Sequence, residues 1–114
     1  VLTSMDAAGL KATGIDQLPA ERVLSLAHLS QASGFDGVVC SAQESALLKA
    51  KLGEHFKLIT PGIRPSFAVA GDQKRIMTPA QAMAAGSDYL VIGRPITQAH
   101  DPMQALALIE QELT

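Results

Sequence analysis

Apolar positions along the chain alternate between two periods. Asp36-Gly37-Val38-Val39-Cys40, Phe56-Lys57-Leu58-Ile59-Thr60 and Asp88-Tyr89-Leu90-Val91-Ile92-Gly93 are short runs rich in β-branched residues. They are too short for helices and apolar enough for buried parallel strands. Val1-Leu2-Thr3-Ser4-Met5 reads as the end of a further strand whose beginning lies outside the chain, so the chain is expected to be a fragment. Helical periodicity fills the intervals. Val23, Leu26, Ala27 and Ser30 share one face of a helix predicted from about 19 to 33. Ser41 stands three residues before Glu44, a capping-box spacing that opens a helix to about Leu52. Thr78-Pro79-Ala80-Gln81 is a second box, with proline at the first helical position. Asp101-Pro102 opens the last helix, in which Met103, Leu106, Ile109 and Leu113 form an apolar stripe. Gly34, Gly53 and Gly86 stand where helices end.

The resulting order is strand end, then helix and strand in alternation to a final helix, which requires parallel strands and crossover connections. Gly34 to Ser41 and Gly86 to Gly93 are alike: a helix-ending glycine, an Asp, a buried strand, a small residue. Repeated βα units build both (β/α)₈ barrels and doubly wound sheets. Four units without a Gly-x-Gly-x-x-Gly fingerprint favour an α/β half-barrel, residues 1–114 being roughly half of one (β/α)₈ TIM-barrel domain.

Composition narrows the function. A formal charge of −2 and a pI near 5.8 give no electrostatic case for nucleic acid or anionic membranes. The 114 residues are 47 % hydrophobic and 18 % charged, an ordinary globular balance with no apolar run of membrane-spanning length. No signal peptide is evident, and the single Cys40 fits a reducing compartment. His28, His55 and His100 are scattered without metal-ligand spacing.

Barrel sites lie at the C-terminal strand ends. Four such mouths are readable: Thr3-Ser4-Met5, Cys40-Ser41, Thr60-Pro61-Gly62-Ile63-Arg64 and Ile92-Gly93-Arg94-Pro95. The last two carry the strongest signal. Gly93 allows close backbone approach to an anion, and Arg64 and Arg94 offer planar forks suited to phosphate oxygens. The long segment from Pro65 to Met77 reads as a functional loop in which Gln73 can donate to a phosphate, whereas Lys74 and Arg75 read as solvated. Cys40 reads as a small core residue. Asp36 and Asp88, at strand starts, belong to the stability face. No strand mouth carries a histidine or lysine to act as a base.

Val1-Leu2-Thr3-Ser4-Met5, Asp36 to Ser41, Thr60-Pro61-Gly62-Ile63-Arg64-Pro65, Gly71-Asp72-Gln73-Lys74-Arg75 and Val91 to Thr97 together resemble the bacterial orotidine 5′-phosphate decarboxylases, in order and spacing, across nearly the whole chain. The resemblance implies the C-terminal half of a (β/α)₈ barrel acting in de novo pyrimidine biosynthesis. It implies Arg64, Gln73, Gly93 and Arg94 on the substrate phosphate and Thr3 in the pyrimidine pocket, with Ser4 a weaker candidate. The implied reaction converts orotidine 5′-monophosphate to uridine 5′-monophosphate (UMP) and CO₂ without metal or organic cofactor. The implied protein is a cytoplasmic homodimer with sites at the subunit interface, bound to neither nucleic acid nor membrane. The family's catalytic Lys-x-Asp array has no counterpart in these residues and is expected in the N-terminal half, a partner of this segment. The segment alone is therefore expected to be inactive and to associate through its open faces. Two alternatives stand beside this reading: another phosphate-binding barrel (a sugar-phosphate epimerase, a hexulose-phosphate synthase or a phosphoribosyl-anthranilate isomerase), or a non-catalytic engineered half-barrel.

Overall fold

The computed structural model describes residues 1–68 and 75–114. Its elements run α1 (Ala7–Ala12), α2 (Pro19–Ala32), β1 (Gly37–Val39), a 3₁₀ turn (Ala42–Glu44), α3 (Ser45–Leu52), β2 (Lys57–Thr60), α4 (Pro79–Ala85), β3 (Tyr89–Leu90), α5 (Arg94–Thr97) and α6 (Pro102–Leu113). The strands form one parallel sheet in the order β1-β2-β3. The ladder continues past the strand ends. Cys40 N–H donates to the Ile59 carbonyl at 3.0 Å, and Val91 N–H to that of Thr60 at 2.9 Å.

Register and pleat divide the sheet into two unlike faces. Leu58 and Cys40 pack with Val23, Ala27, Leu48, Leu52 and Phe56 beneath α2 and α3. Leu48 and Leu58 are each 1 % exposed, and burying each contributes about 1.5–3 kcal/mol. Ala42, Ile63 and Ala82 form a second cluster, joined by Met77, Leu90 and Ile92. On the opposite face Val39, Ile59 and Tyr89 make one row across the three strands. Val39 and Tyr89 are more than half exposed. These strands therefore have one covered face among the described residues, not the two their apolar composition predicts.

Four sequence expectations need correction. Val1–Met5 is not a strand: Thr3 and Ser4 lie in a turn, with Met5 N–H donating to the Leu2 carbonyl at 3.1 Å. An extended apolar run becomes a strand only when a neighbour completes its ladder, and here Arg75 takes the carbonyls of Leu2 and Thr3. Three parallel strand mouths are thus formed among the described residues instead of four. The Ser41 capping box is absent as well. Ser41 accepts from Gln43 N–H and opens a 3₁₀ turn, while Glu44 turns inward to an ion pair with Arg75. In α6, Ala105 and Ile109 are buried and Met103 is 73 % exposed, so Leu106, Ile109 and Leu113 face a groove without Met103. Two short helices, α1 and α5, were not anticipated. The Thr78 box is present in full, with both reciprocal bonds to Gln81. No helix among the described residues is long and apolar enough to cross a membrane.

At the N-terminal end of β2 a buried lysine organises the base of the sheet. Lys49 Nζ donates to the carbonyls of Glu54 and Phe56, both at 2.9 Å, and to Asp88 Oδ2 at 2.8 Å. Its three donors are satisfied. Asp88 Oδ2 also accepts from Leu58 N–H at 2.8 Å, tying β3 to β2, which places Asp88 on the stability face as expected. Burial pushes the Asp88 carboxyl up, but the Lys49 bond, the Leu58 N–H and the Lys49 and Lys57 charges together hold it below the usual carboxylate range. A carboxyl lowered on folding contributes stability above its unfolded pKa and loses it as pH falls through the folded value. Asp88→Ala is expected to cost about 3 kcal/mol at neutral pH, because it strands a buried ammonium. That penalty should shrink as pH falls below about 4, where the carboxyl of the unfolded chain takes up its proton while the folded one, held lower, is still ionised. Urea melts at neutral and acid pH check both statements.

Candidate functional site

The site is built where β2 and β3 end. Thr60 leads into Pro61-Gly62, and Gly62 adopts φ +72°. A Cβ there would lie 2.3 Å from Thr3 Cγ2, so only glycine admits both the backbone conformation and the packed threonine. Beyond the turn, Ile63 pairs with Met77 in a parallel bridge, and Arg64 N–H donates to the Met77 carbonyl at 2.9 Å. The Arg64 backbone is therefore fixed. Arg64 is 8 % exposed, and its Nε is buried without a hydrogen-bond partner among the described residues.

Opposite stands the segment after β3. Gly93 precedes α5, its carbonyl accepting from Ile96 and Thr97 N–H at 2.9 and 3.0 Å. Among the described residues nothing lies within 4 Å of where a Gly93 Cβ would be, so no side chain of its own crowds the space in front of the peptide. Arg94 follows. Pro61, Gly62, Arg64, Val91, Gly93 and Arg94 border a cleft of about 240 Å³. An adjoining space of about 300 Å³ touches Arg64, Arg94, Phe67 and Gln98. Among the described residues no carboxylate lines either space, while both arginines line each of them. The structure thus brings Arg64, Gly93 and Arg94 together on one side, as expected. A cleft with two guanidinium groups and no acid among the described residues favours an anion.

The other sequence-predicted residues fall differently. Thr3 is buried against Gly62 and does not line the cleft. Ser4 is exposed. Gln73 lies outside the described residues. Cys40 is 1 % exposed in the first core cluster. Burial pushes its thiol up to about 11, against the opposing pull of Arg75 and Lys49, which cuts the reactive thiolate roughly a hundredfold. Cys40 is therefore expected to resist a disulfide reagent at pH 8 in the folded protein and to react at once in denaturant. A rapid stoichiometric reaction of the native protein would contradict the core assignment.

Arg75 is the residue sequence reading missed. Far from being solvated, its side chain is 11 % exposed and pairs with Glu44, while Nη2 donates to the Leu2 carbonyl at 2.9 Å. Its sequence neighbours suggested only a basic loop, and the long-range partner left no local signal.

The sequence profile of the orotidine 5′-phosphate decarboxylase / HUMPS family matches residues 1–109. The chain is 64 % identical over 113 residues to an orotidine 5′-phosphate decarboxylase of Photobacterium profundum, covering 99 % of this chain and 49 % of that protein. A Vibrio vulnificus protein of the same name is 61 % identical over 114 residues, with 100 % and 49 % covered. The crystal structure of orotidine 5′-phosphate decarboxylase from Lactobacillus acidophilus superimposes with a TM-score of 0.79 at 39 % identity, over 100 % of this chain and 46 % of that one. The chain spans about half the length of the curated relatives it matches, and its α/β architecture is that of about half a (β/α)₈ barrel. The chain belongs to the orotidine 5′-phosphate decarboxylase / HUMPS family.

Proposed function

We propose that this chain is the C-terminal half of an orotidine 5′-phosphate decarboxylase and that its cleft grips the phosphate of orotidine 5′-monophosphate. The observation that carries the reading is Arg64: a residue 8 % exposed, its buried Nε without a partner among the described residues, beside Gly93 and Arg94 at a cleft that no described carboxylate lines. A buried donor without an acceptor is costly, and a phosphate oxygen would supply the acceptor. Relatives above 60 % identity bearing the decarboxylase name favour this activity over the other phosphate-binding barrels.

In the proposed reaction the bond from C6 to the carboxylate breaks, CO₂ leaves, and a proton arrives at C6. No Lys-x-Asp motif occurs in these residues, so the groups that stabilise charge at C6 and protonate it are assigned to the N-terminal half. That half would cover the Val39-Ile59-Tyr89 row. The role of the present residues is binding. The phosphate is remote from C6, so its interaction energy can orient the nucleotide and hold the reacting ring in a dry site. Gln73 and Thr3 are assigned to the phosphate and the pyrimidine on the family resemblance. The homodimer and the cytoplasmic location rest on it too.

Calorimetry on the full-length protein tests the reading. UMP is expected to bind at least about a hundredfold more tightly than uridine, as two or more charge-assisted bonds require. Equal affinities would overturn the phosphate assignment.

A further inference from the structure

Residues 75 to 77 run between the two parts of the proposed nucleotide site. At one end, Arg75 N–H donates to the Thr3 carbonyl at 3.0 Å, and Arg75 Nη2 to that of Leu2 at 2.9 Å. At the other, Met77 accepts from Arg64 N–H and pairs with Ile63. Thr3 in turn packs against Gly62, two residues before Arg64. What fixes this connecting stretch is the mouth of β1. Ser41 Oγ donates to the Arg75 carbonyl at 3.3 Å, and Glu44 pairs with the Arg75 guanidinium. Glu44 is 3 % exposed. Among the described residues Glu44 Oε2 and Arg75 Nε have no hydrogen-bond partner. A buried ion pair of this kind is a poor source of stability compared with an apolar pair of the same volume. Its distinctive property is geometric: one planar fork holds a carboxylate from the 3₁₀ turn after β1 and the Leu2 carbonyl at once.

We propose that Glu44 and Arg75 are positioning residues that couple the pyrimidine side of the site, at Thr3, to the phosphate side, at Arg64. The inference rests on the nucleotide reading above. The pair touches no substrate and acts through the backbone of Leu2, Thr3 and Met77. Its loss shifts both halves of the site together.

Three variants of the full-length protein, assayed well below their melting temperatures, test this. Arg75→Lys keeps the charge beside Glu44 but cannot fork to Leu2. It is expected to weaken both UMP and uridine about tenfold and to raise KM, since small misplacements are expensive at such sites. The double variant Glu44→Leu/Arg75→Met replaces the pair by apolar groups that preserve folding. It is expected to show the same joint loss with the melting temperature little changed. Arg64→Ala is expected to weaken UMP alone and leave uridine untouched. If Arg75→Lys and the double variant change only the melting temperature and leave both ligands within twofold, the pair is merely structural and the proposal falls. If Arg64→Ala leaves UMP unchanged, the phosphate reading itself falls, a different failure from the first.

Discussion

Arg64→Ala in the full-length protein should lower kcat/KM for orotidine 5′-monophosphate by roughly 10²–10³, or about 3–4 kcal/mol. The size follows from the setting of the side chain. Each charge-assisted hydrogen bond to a phosphate oxygen is worth about 1.5–3 kcal/mol, and Arg64 presents Nε and its terminal nitrogens from a buried, backbone-fixed position. Lysine is not expected to rescue, because an ammonium cannot reproduce the bidentate fork. Arg94 is exposed, so Arg94→Ala should cost less, about 1.5–3 kcal/mol, raising KM and lowering kcat/KM. Steady-state kinetics decides between them. Arg64→Ala with wild-type kcat/KM would remove Arg64 from the site.

The second large effect concerns Gly62. Its φ of +72° disfavours any side chain, by about 1–2 kcal/mol for an ordinary residue. Overpacking against Thr3 Cγ2 adds about 1–3 kcal/mol. Gly62→Ala should therefore destabilise the protein by about 2–5 kcal/mol. Gly14 has φ +89° with nothing within 4 Å of a Cβ, so Gly14→Ala should show only the backbone part. Thr3→Ser removes the nearest methyl and should recover part of the Gly62→Ala loss. Denaturant melts of the three variants separate strain from contact. Equal losses at Gly62 and Gly14 would show that the turn and Thr3 are not packed as described.

Legibility in the sequence followed the range of the interactions. Helix-ending glycines and the Thr78 box rest on neighbours within a few residues, and the three internal strands on short apolar runs set between helices; all stand in the structure. Arg64, Gly93 and Arg94 were readable because a repeated βα unit puts strand mouths side by side. The Val1–Met5 segment was misread because strand formation depends on a partner ladder, which periodicity does not report. Glu44 illustrates a different failure. Its spacing from Ser41 matches a capping box, but burial beside Arg75 offers the carboxylate an ion pair instead. Arg75 and Lys49 both look like surface cations by composition, yet both side chains are largely covered and their ion-pair partners, Glu44 and Asp88, lie more than thirty residues away.

The phosphate grip is tested most directly by a crystal structure of the full-length protein with bound UMP. The phosphate oxygens are predicted to accept from Arg64 Nε, from Arg94 and from Gly93 N–H within the cleft between the ends of β2 and β3. A phosphate bound elsewhere, with Arg64 Nε still unpartnered, would contradict the account.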